Sequence, residues 1–327
     1  MVPSAASQTV LDVKDLRVHV STQRGIGRAV DGISFTLKAG ETLGLVGESG
    51  SGKTLTSLAI LGLQPQPAAQ ITNGQILFCG EDLLKKTPSE LRQYRGRRIA
   101  MVLQDPMTAL NPVFSIGRQL YEPLKLHRQL SGKGLREQAI ELLRLLQISS
   151  PETRLKSYPH QLSGGMRQRV VGAIALSCNP EILVADEPTT SLDVTVQAHY
   201  LALLDTIQKR IGTAILFITH DLGVVGRMCD TVAVMYAGRI VETAPARQIF
   251  EQPAHPYTEA LLKSMPDLAK PVDRLPSIQG TPPSIYNRPQ GCAFAPRCEH
   301  VMPRCREAYP PEVQLSPEHT TSCWKYQ

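Results

Sequence analysis

The stretch Gly47-Glu48-Ser49-Gly50-Ser51-Gly52-Lys53-Thr54 decides the fold. It follows the apolar run Thr42–Val46 and precedes Leu55–Leu61, which predicts a strand, a glycine-rich loop and a helix in that order. The glycines let successive N–H groups point at a phosphate chain, and the positive end of the helix adds to that field. In such a loop the lysine reaches the β- and γ-phosphates and the threonine hydroxyl binds Mg²⁺. A chance Gly/Ser loop on an ordinary α/β domain is the alternative, but the strand–loop–helix context favours a phosphate-binding loop (P-loop).

Composition indicates a soluble globular chain. The 327 residues are 42% apolar and 20% charged, which is enough for one large or two modest domains with a full core. No run of about 18 apolar residues is present, so we expect no membrane-spanning helix. The first residues lack a basic and an apolar region, so we expect no secretory leader. The net charge of +6 is only mildly basic, and we do not predict nucleic-acid binding from it.

Apolar strands alternate with helix-compatible segments, which predicts an α/β domain with a mostly parallel sheet. The predicted strands include Ile99–Leu103, Ile182–Asp186 and Ala214–Thr219. Residues from about 105 to 165 carry helical periodicity and predict a helical insertion.

The N-terminal part predicts an antiparallel β subdomain. Val10–Val20 and Gly32–Leu37 alternate apolar and polar residues, and Ser21–Arg28 between them is predicted to be a loop. Such a loop can offer an aromatic ring for stacking on adenine. This one contains no aromatic residue, so base recognition is weakly specified.

Polar side chains at predicted strand ends supply the other parts of a hydrolytic site. Asp186 follows an apolar strand and is predicted to hold the Mg²⁺ shell, together with Thr54. Glu187 is placed to orient the attacking water, and His220 to sense the γ-phosphate. An isolated acid pair or histidine is often structural, but three such groups at strand ends favour ATP hydrolysis.

Beyond residue 250 the composition changes. Prolines break any long helix, so we predict a domain over 1–250 and an irregular C-terminal appendage over 251–327. Four cysteines crowd this appendage: Cys292, Cys298, Cys305 and Cys323. In a cytosolic protein such a set indicates a metal rather than disulfides, and it can hold either Zn²⁺ or an iron–sulfur cluster. No CxxC pair is present, which weakens the zinc interpretation, and unliganded cysteines stay a third possibility.

A five-residue segment carries a family resemblance. Leu162-Ser163-Gly164-Gly165-Met166 resembles the LSGGQ signature of ATP-binding cassette (ABC) ATPases, with Met166 in place of glutamine. The resemblance covers about residues 10–250. It implies a head-to-tail dimer in which the signature of one subunit closes over the ATP of the other. It also implies a Q-loop residue that touches Mg²⁺ and water (Gln104), a D-loop (Ser191-Leu192-Asp193) and a switch histidine (His220).

The appendage narrows the resemblance. His255–Leu262, followed by the cysteine-rich tail, is similar to the D-type subunit of the peptide-permease branch, the dipeptide, oligopeptide and nickel importers. That likeness implies a peripheral protein on the cytoplasmic face of the inner membrane. Its implied partners are a second homologous ATPase, two transmembrane permease subunits and a periplasmic or lipid-anchored substrate-binding protein. It also implies a [4Fe–4S] cluster on the four cysteines, with Zn²⁺ as the alternative.

Other functions are compatible with parts of the pattern. The same motor could serve a nickel or other small-solute importer. A soluble ABC ATPase without a permease typically has a long coiled coil or two cassettes, and neither is visible in this sequence. A regulator that holds ATP without hydrolysing it is disfavoured by Glu187 and His220.

Overall fold

The structure is a computed structural model that describes residues 8–190, 192–265 and 277–327. The described residues divide into two compact units. The first unit contains 8–10, 37–41 and 85–218, and the second contains 11–36, 42–84 and 219–327. Among the described residues, no helix combines the length and apolarity needed to cross a bilayer.

The strands of the described residues are β1 (Thr9–Thr22), β2 (Gly25–Lys38), β3 (Thr42–Val46), β4 (Ala69–Phe78), β5 (Glu81–Asp82), β6 (Ile99–Val102), β7 (Ile182–Asp186), β8 (Ala214–Thr219), β9 (Thr231–Tyr236), β10 (Arg239–Pro245), β11 (Val313–Ser316) and β12 (His319–Thr321). The α-helices are α1 (Lys53–Ile60), α2 (Pro88–Tyr94), α3 (Pro106–Ala109), α4 (Ile116–Arg128), α5 (Gly132–Leu145), α6 (Pro151–Arg154), α7 (Gly164–Leu176), α8 (Val194–Ile211), α9 (Leu222–Met228), α10 (Ala246–Glu251), α11 (Pro256–Lys263) and α12 (Pro303–Glu307).

The second unit contains the antiparallel sheet that the N-terminal alternation predicts. Its strand order is β2-β1-β4-β5, and Leu11 lies opposite Phe78. The predicted loop Ser21–Arg28 is wrong in its extent, because the strands continue to a two-residue turn at 23–24. Most side chains at this end of the hairpin are exposed. The backbones of β1 and β2 remain paired at this end although apolar and polar residues no longer alternate. The sequence therefore gives no pattern from which these strand residues could be predicted.

The P-loop strand lies in a second sheet of the same unit. All five residues of β3 are buried, β3 pairs in parallel with β9, and β9 pairs antiparallel with β10. The order continues through β12 to β11, with Glu242 of β10 opposite Thr321. The prediction of an irregular appendage is therefore wrong for its last residues. The prolines do break helices, but they do not prevent short strands from pairing with β10.

The first unit contains three parallel strands in the order β8-β7-β6, with Ile182 opposite both Ile99 and Ala214. Residues 106–154 form helices α3 to α6, as the periodicity predicts. Helices α4, α5 and α7 pack on one another. The buried side chains of α4, Ile116, Leu120 and Leu124, recur every four residues and give the helix one apolar face.

Candidate nucleotide site

The P-loop leads directly into α1, as the motif predicts. Gly47 has a φ of 152° and Gly52 a φ of 106°, a region that residues with a Cβ rarely occupy. A Cβ at Gly47 would collide with the carbonyl oxygen of Met235, and one at Gly52 would lie 2.6 Å from the carbonyl oxygen of Ala29. Because backbone atoms block both positions, only glycine allows the loop to keep this curvature.

The P-loop lysine lies within the curve of its own loop. The Nζ atom of Lys53 donates to the carbonyl oxygens of Gly47 at 2.7 Å and Glu48 at 3.0 Å, and the residue is buried. Thr54 is the next residue and is exposed. The roles of Lys53 in binding phosphate and of Thr54 in binding Mg²⁺ stay predictions.

The C-terminal appendage holds the P-loop at Glu48. The guanidinium of Arg297 donates to both carboxylate oxygens of Glu48, at 2.7 and 2.9 Å. The backbone N–H of Glu48 donates to the hydroxyl of Tyr257 at 2.9 Å, and burial raises the pKa of this tyrosine. The hydrogen bond to Glu48 raises the pKa of Arg297, so the guanidinium stays charged. A bidentate ion pair with the C-terminal appendage thus holds the P-loop in place, and arginine recognises carboxylates with the greatest geometric specificity in this arrangement.

Sequence reasoning missed Arg297 and the role of Tyr257. Arg297 lies 249 residues from Glu48, and no local periodicity links the two positions. The one signal in the sequence was the position of this arginine directly before Cys298 in the cysteine-rich tail.

The predicted acids lie in the first unit. Asp186 ends β7 and is 1% exposed, and Glu187 is 8% exposed. The carboxylate of Glu187 accepts from Gln104 Nε2 at 2.8 Å and from the Thr190 hydroxyl at 3.1 Å. The structure therefore brings Gln104 and Glu187 together. Thr190 is a partner that sequence reasoning missed.

The backbone at Glu187 is strained. Its φ of 45° is left-handed, which costs a residue with a Cβ about 1 kcal/mol or more. The N–H of Glu187 donates to the carbonyl oxygen of Ile218 at 2.9 Å and helps to hold this conformation. Strain of this kind is typical of residues whose position matters for chemistry.

The signature segment forms the N-terminus of α7. Ser163 is the N-cap, and its Oγ accepts from the N–H of Met166 at 3.3 Å. Ser163 and Gly164 are exposed, whereas Leu162 is buried and Gly165 and Met166 are half-buried. The serine and the first amides of this helix therefore face solvent, where a ligand or another molecule can approach them.

The remaining predicted residues are the D-loop and the switch histidine. Asp193 caps α8 by accepting from the N–H groups of Thr195 and Val196 at 3.1 and 3.0 Å, and Leu192 precedes it. Ser191 lies outside the described residues. His220 follows β8, is exposed and belongs to the second unit with the P-loop.

The four tail cysteines come together in the second unit. Cys292, Cys298, Cys305 and Cys323 line one pocket, beside Phe294 and Trp324. Burial raises the pKa of Cys292 to about 11, and it also raises the pKa of Cys298 and of Cys323. Among the described residues, however, no three His, Cys, Asp or Glu side chains are arranged to hold a metal ion. The structure thus gives the predicted metal centre a shared pocket but no formed ligand set.

Comparisons with known proteins agree with these motifs. A family model described as "ABC transporter" matches residues 30–190, and one described as "Oligopeptide/dipeptide transporter, C-terminal region" matches residues 241–305. The dipeptide transport ATP-binding protein DppD of Bacillus subtilis is 49% identical over 317 residues, which cover 97% of this chain and 95% of DppD. The probable peptide ABC transporter ATP-binding protein y4tR of Sinorhizobium fredii is also 49% identical over 317 residues, with the same coverage of 97% and 95%.

Solved structures support the same fold. The dimeric structure of MJ0796, described as a bacterial ABC transporter cassette, has a TM-score of 0.65 and 26% identity, and the match covers 72% of this chain and 99% of that one. The structure of cbiO1 from Clostridium perfringens has a TM-score of 0.63 and 26% identity, and covers 75% and 92% of the two chains. The chain therefore belongs to the ABC transporter family as an ABC-type ATPase, in the group that carries the oligopeptide/dipeptide transporter C-terminal region.

Proposed function

We propose that this chain is the ATP-hydrolysing subunit of an importer that carries dipeptides or oligopeptides across the bacterial inner membrane. The observation that carries the proposal is the joint presence of a formed P-loop and a C-terminal region matched to oligopeptide/dipeptide transporters. The names of the relatives DppD and y4tR, over nearly the whole chain, support peptides as the transported class.

In the proposed site, Lys53 and the P-loop amides bind the phosphates of ATP. Thr54, Asp186 and Gln104 hold Mg²⁺, which neutralises charge on the phosphates when it is bound. Glu187 accepts a proton from the attacking water or orients it, and the bonds from Gln104 and Thr190 fix its carboxylate. His220 contacts the γ-phosphate.

The exposed signature supports a partnership with a second ATPase. Ser163 and the amides at the start of α7 bind the γ-phosphate of ATP held by a second, homologous ATPase, and the two chains form a heterodimer. ATPase subunits of peptide importers work with membrane permease subunits. We place this chain peripherally on the cytoplasmic face of the membrane, with two permease subunits and a periplasmic or lipid-anchored substrate-binding protein. Membrane association only when the permease subunits are co-expressed is expected, and a soluble ABC ATPase would not show it.

The substitution Glu187→Gln tests the catalytic assignment. We expect it to keep Mg-ATP affinity within about threefold and to slow hydrolysis at least about 100-fold, because the amide cannot act as a base. Binding is measured by calorimetry and turnover by phosphate release, in the presence of the partner ATPase. Glu137→Gln, an exposed residue paired with Lys133, is the matched control. Hydrolysis at the wild-type rate in Glu187→Gln would reject the role.

We further propose that the four tail cysteines bind a [4Fe–4S] cluster, with Zn²⁺ as the alternative. Their shared pocket and soft sulfur donors fit either group, provided that the thiols lose their protons and move together. The bound group would staple a segment that has little core of its own. Iron, acid-labile sulfide and zinc assays on anaerobically purified protein decide between them. Finding none of the three rejects the metal.

A further inference from the structure

The β1–β2 hairpin is covered at Gly27 by a segment from the C-terminal appendage. A Cβ at Gly27 would lie 2.6 Å from the Cδ1 and Cγ1 atoms of Ile285 and 3.1 Å from the Cε1 atom of Tyr286. The space that a side chain at position 27 would occupy is therefore filled by Ile285 and Tyr286. This is the hairpin whose turn contains no aromatic residue for adenine stacking.

The covering segment is fixed to the hairpin by hydrogen bonds. The N–H of Arg28 donates to the carbonyl oxygen of Ile285 at 3.0 Å, and the hydroxyls of Tyr286 and Thr22 are 2.8 Å apart. Two residues further on, the Arg288 guanidinium donates to the buried carboxylate of Asp31 at 2.8 Å. The segment is thus anchored at three points along the hairpin rather than resting loosely on it.

The same segment also faces the P-loop. Pro282, Pro283, Ile285 and Arg288 line a small cleft together with Glu48–Ser51 of the phosphate-binding loop, and Tyr286 lies next to Ile285 against the hairpin. In a nucleoside triphosphate the ribose joins the base directly to the phosphates. A nucleotide whose phosphates lie in the P-loop must therefore place its base beside that loop, where apolar and aromatic surface favours a purine face.

We propose that residues 282–286 form the base-binding wall of the nucleotide site, with Tyr286 supplying the aromatic ring that the hairpin turn lacks. This inference rests on the proposed ATP site and identifies residues that recognise the base. The apolar surface of Pro282, Pro283 and Ile285 contacts the purine, and the bond to Thr22 positions the ring of Tyr286. The C-terminal appendage is then part of the nucleotide site as well as a structural extension.

The test separates binding of the base from binding of the phosphates. Affinities of the full-length protein for Mg-ATP and for Mg-tripolyphosphate, which has no base, are measured by calorimetry. We expect Tyr286→Ala and Ile285→Ala each to weaken ATP binding about tenfold, because base–aromatic stacking contributes about 1–3 kcal/mol. Tripolyphosphate binding is expected to stay within about twofold. Tyr286→Phe keeps the ring and is expected to retain ATP affinity within about threefold.

Two control variants make each outcome decisive. Tyr326→Ala removes another tyrosine ring of the appendage and is expected to change neither affinity. Lys53→Ala is expected to abolish binding of both compounds, and if it does not, the P-loop site and the wall both fail. Suppose that Lys53→Ala abolishes binding of both compounds, but Tyr286→Ala and Ile285→Ala bind ATP at least as tightly as the wild type does. The P-loop site then stands, and only the base-binding wall is rejected. An equal loss for ATP and tripolyphosphate would also overturn it, since the segment would then act through the P-loop alone.

Discussion

Glu48 ties the P-loop to the far end of the chain. Its carboxylate is 26% exposed, whereas the Arg297 side chain that binds it is 4% exposed. The motif spacing predicts where the P-loop lies, because the loop chemistry is local in sequence. The ion pair could not be predicted, because only the fold brings residues separated by 249 positions together.

Replacing Arg297 should therefore destabilise the second unit. We expect Arg297→Gln to lower the free energy of unfolding by about 1–2 kcal/mol, less than a fully buried pair would lose, because water partly solvates Glu48. Urea unfolding followed by circular dichroism measures the change. Arg247→Gln breaks an exposed pair with Glu251 and serves as the control, with no measurable loss of stability expected. Equal losses in the two variants would contradict the prediction.

Asp31 gives stability a dependence on pH. Its carboxylate is 2% exposed and binds Arg17, Arg239 and Arg288 at 2.7–3.2 Å. Burial on its own raises the pKa of Asp31, but the Arg239 hydrogen bond and the charges of the three arginines outweigh it and lower the pKa below its usual value. As the pH falls, Asp31 is protonated at a higher pH in the unfolded chain than in the folded chain. The stabilisation that the ionised Asp31 gives to the fold is therefore complete above about pH 5, and it is lost as the pH falls through the pKa of the folded state.

Substitution of Asp31 should remove part of this acid sensitivity. We expect Asp31→Asn to be less stable than wild type at pH 7 and to lose less stability between about pH 5 and pH 3. Unfolding by urea at several pH values gives both quantities. Asp205→Asn, which alters an exposed pair with Lys209, should leave the pH profile unchanged. If Asp31→Asn follows the wild-type slope, the assignment is wrong.

The junction between the cassette and its appendage is built around one buried side chain of β10. The carboxylate of Glu242 accepts from the backbone N–H groups of Ala254 and His255 at 2.7 and 2.9 Å and contacts His319 Nε2 at 2.8 Å. It therefore connects β10 to the start of α11 and to β12. Burial lowers the pKa of His255 to about 3, so this histidine is neutral at the junction.

Loss of Glu242 should weaken this junction strongly. We expect Glu242→Ala to lower the free energy of unfolding by about 3 kcal/mol, because two buried N–H groups lose their acceptor. In a double-mutant cycle with His319→Ala, coupling of about 0.5–3 kcal/mol is expected. Thermal and urea unfolding measure both, and Glu251→Ala, at an exposed position of α10, is the control. Additive effects of the two substitutions would show that the pair contributes nothing of its own.

At the level of elements, the sequence predicts what short-range patterns encode. The strands β3, β7 and β8 are apolar runs, and each was expected from its composition. The end of the β1–β2 hairpin and the strands β11 and β12 were missed, because exposed or short strands have no periodic apolar signal. Their pairing partners lie far away in the chain, as Thr321 opposite Glu242 illustrates.

For the whole molecule, the exposed start of α7 is consistent with the heterodimer proposed above. Ser163 and Gly164 face solvent, and Val194 beside the proposed D-loop is 83% exposed. A single exposed apolar side chain is ordinary at a protein surface, so the proposal of association rests on Ser163 and the start of α7.

Association should depend on ATP and on the signature serine. We expect the Glu187→Gln chain, mixed with its partner ATPase, to form a heterodimer with Mg-ATP but not with Mg-ADP. Adding Ser163→Arg should prevent the heterodimer, because the longer side chain occupies the γ-phosphate position. Light scattering after size-exclusion chromatography gives the masses, and Lys133→Ala is the control. A heterodimer that forms equally well without nucleotide would contradict the arrangement.

The pairing of β12 with β10 has a practical consequence. A fragment that stops near residue 250 retains the P-loop, the acids and the signature, and by motif content it looks complete. It would nevertheless leave the outer edge of β10 unpaired, so that its backbone N–H and C=O groups could pair with a strand of another molecule. Such truncated proteins should therefore aggregate and precipitate. A loss of ATPase activity in them would then result from aggregation and not from a change in the catalytic residues.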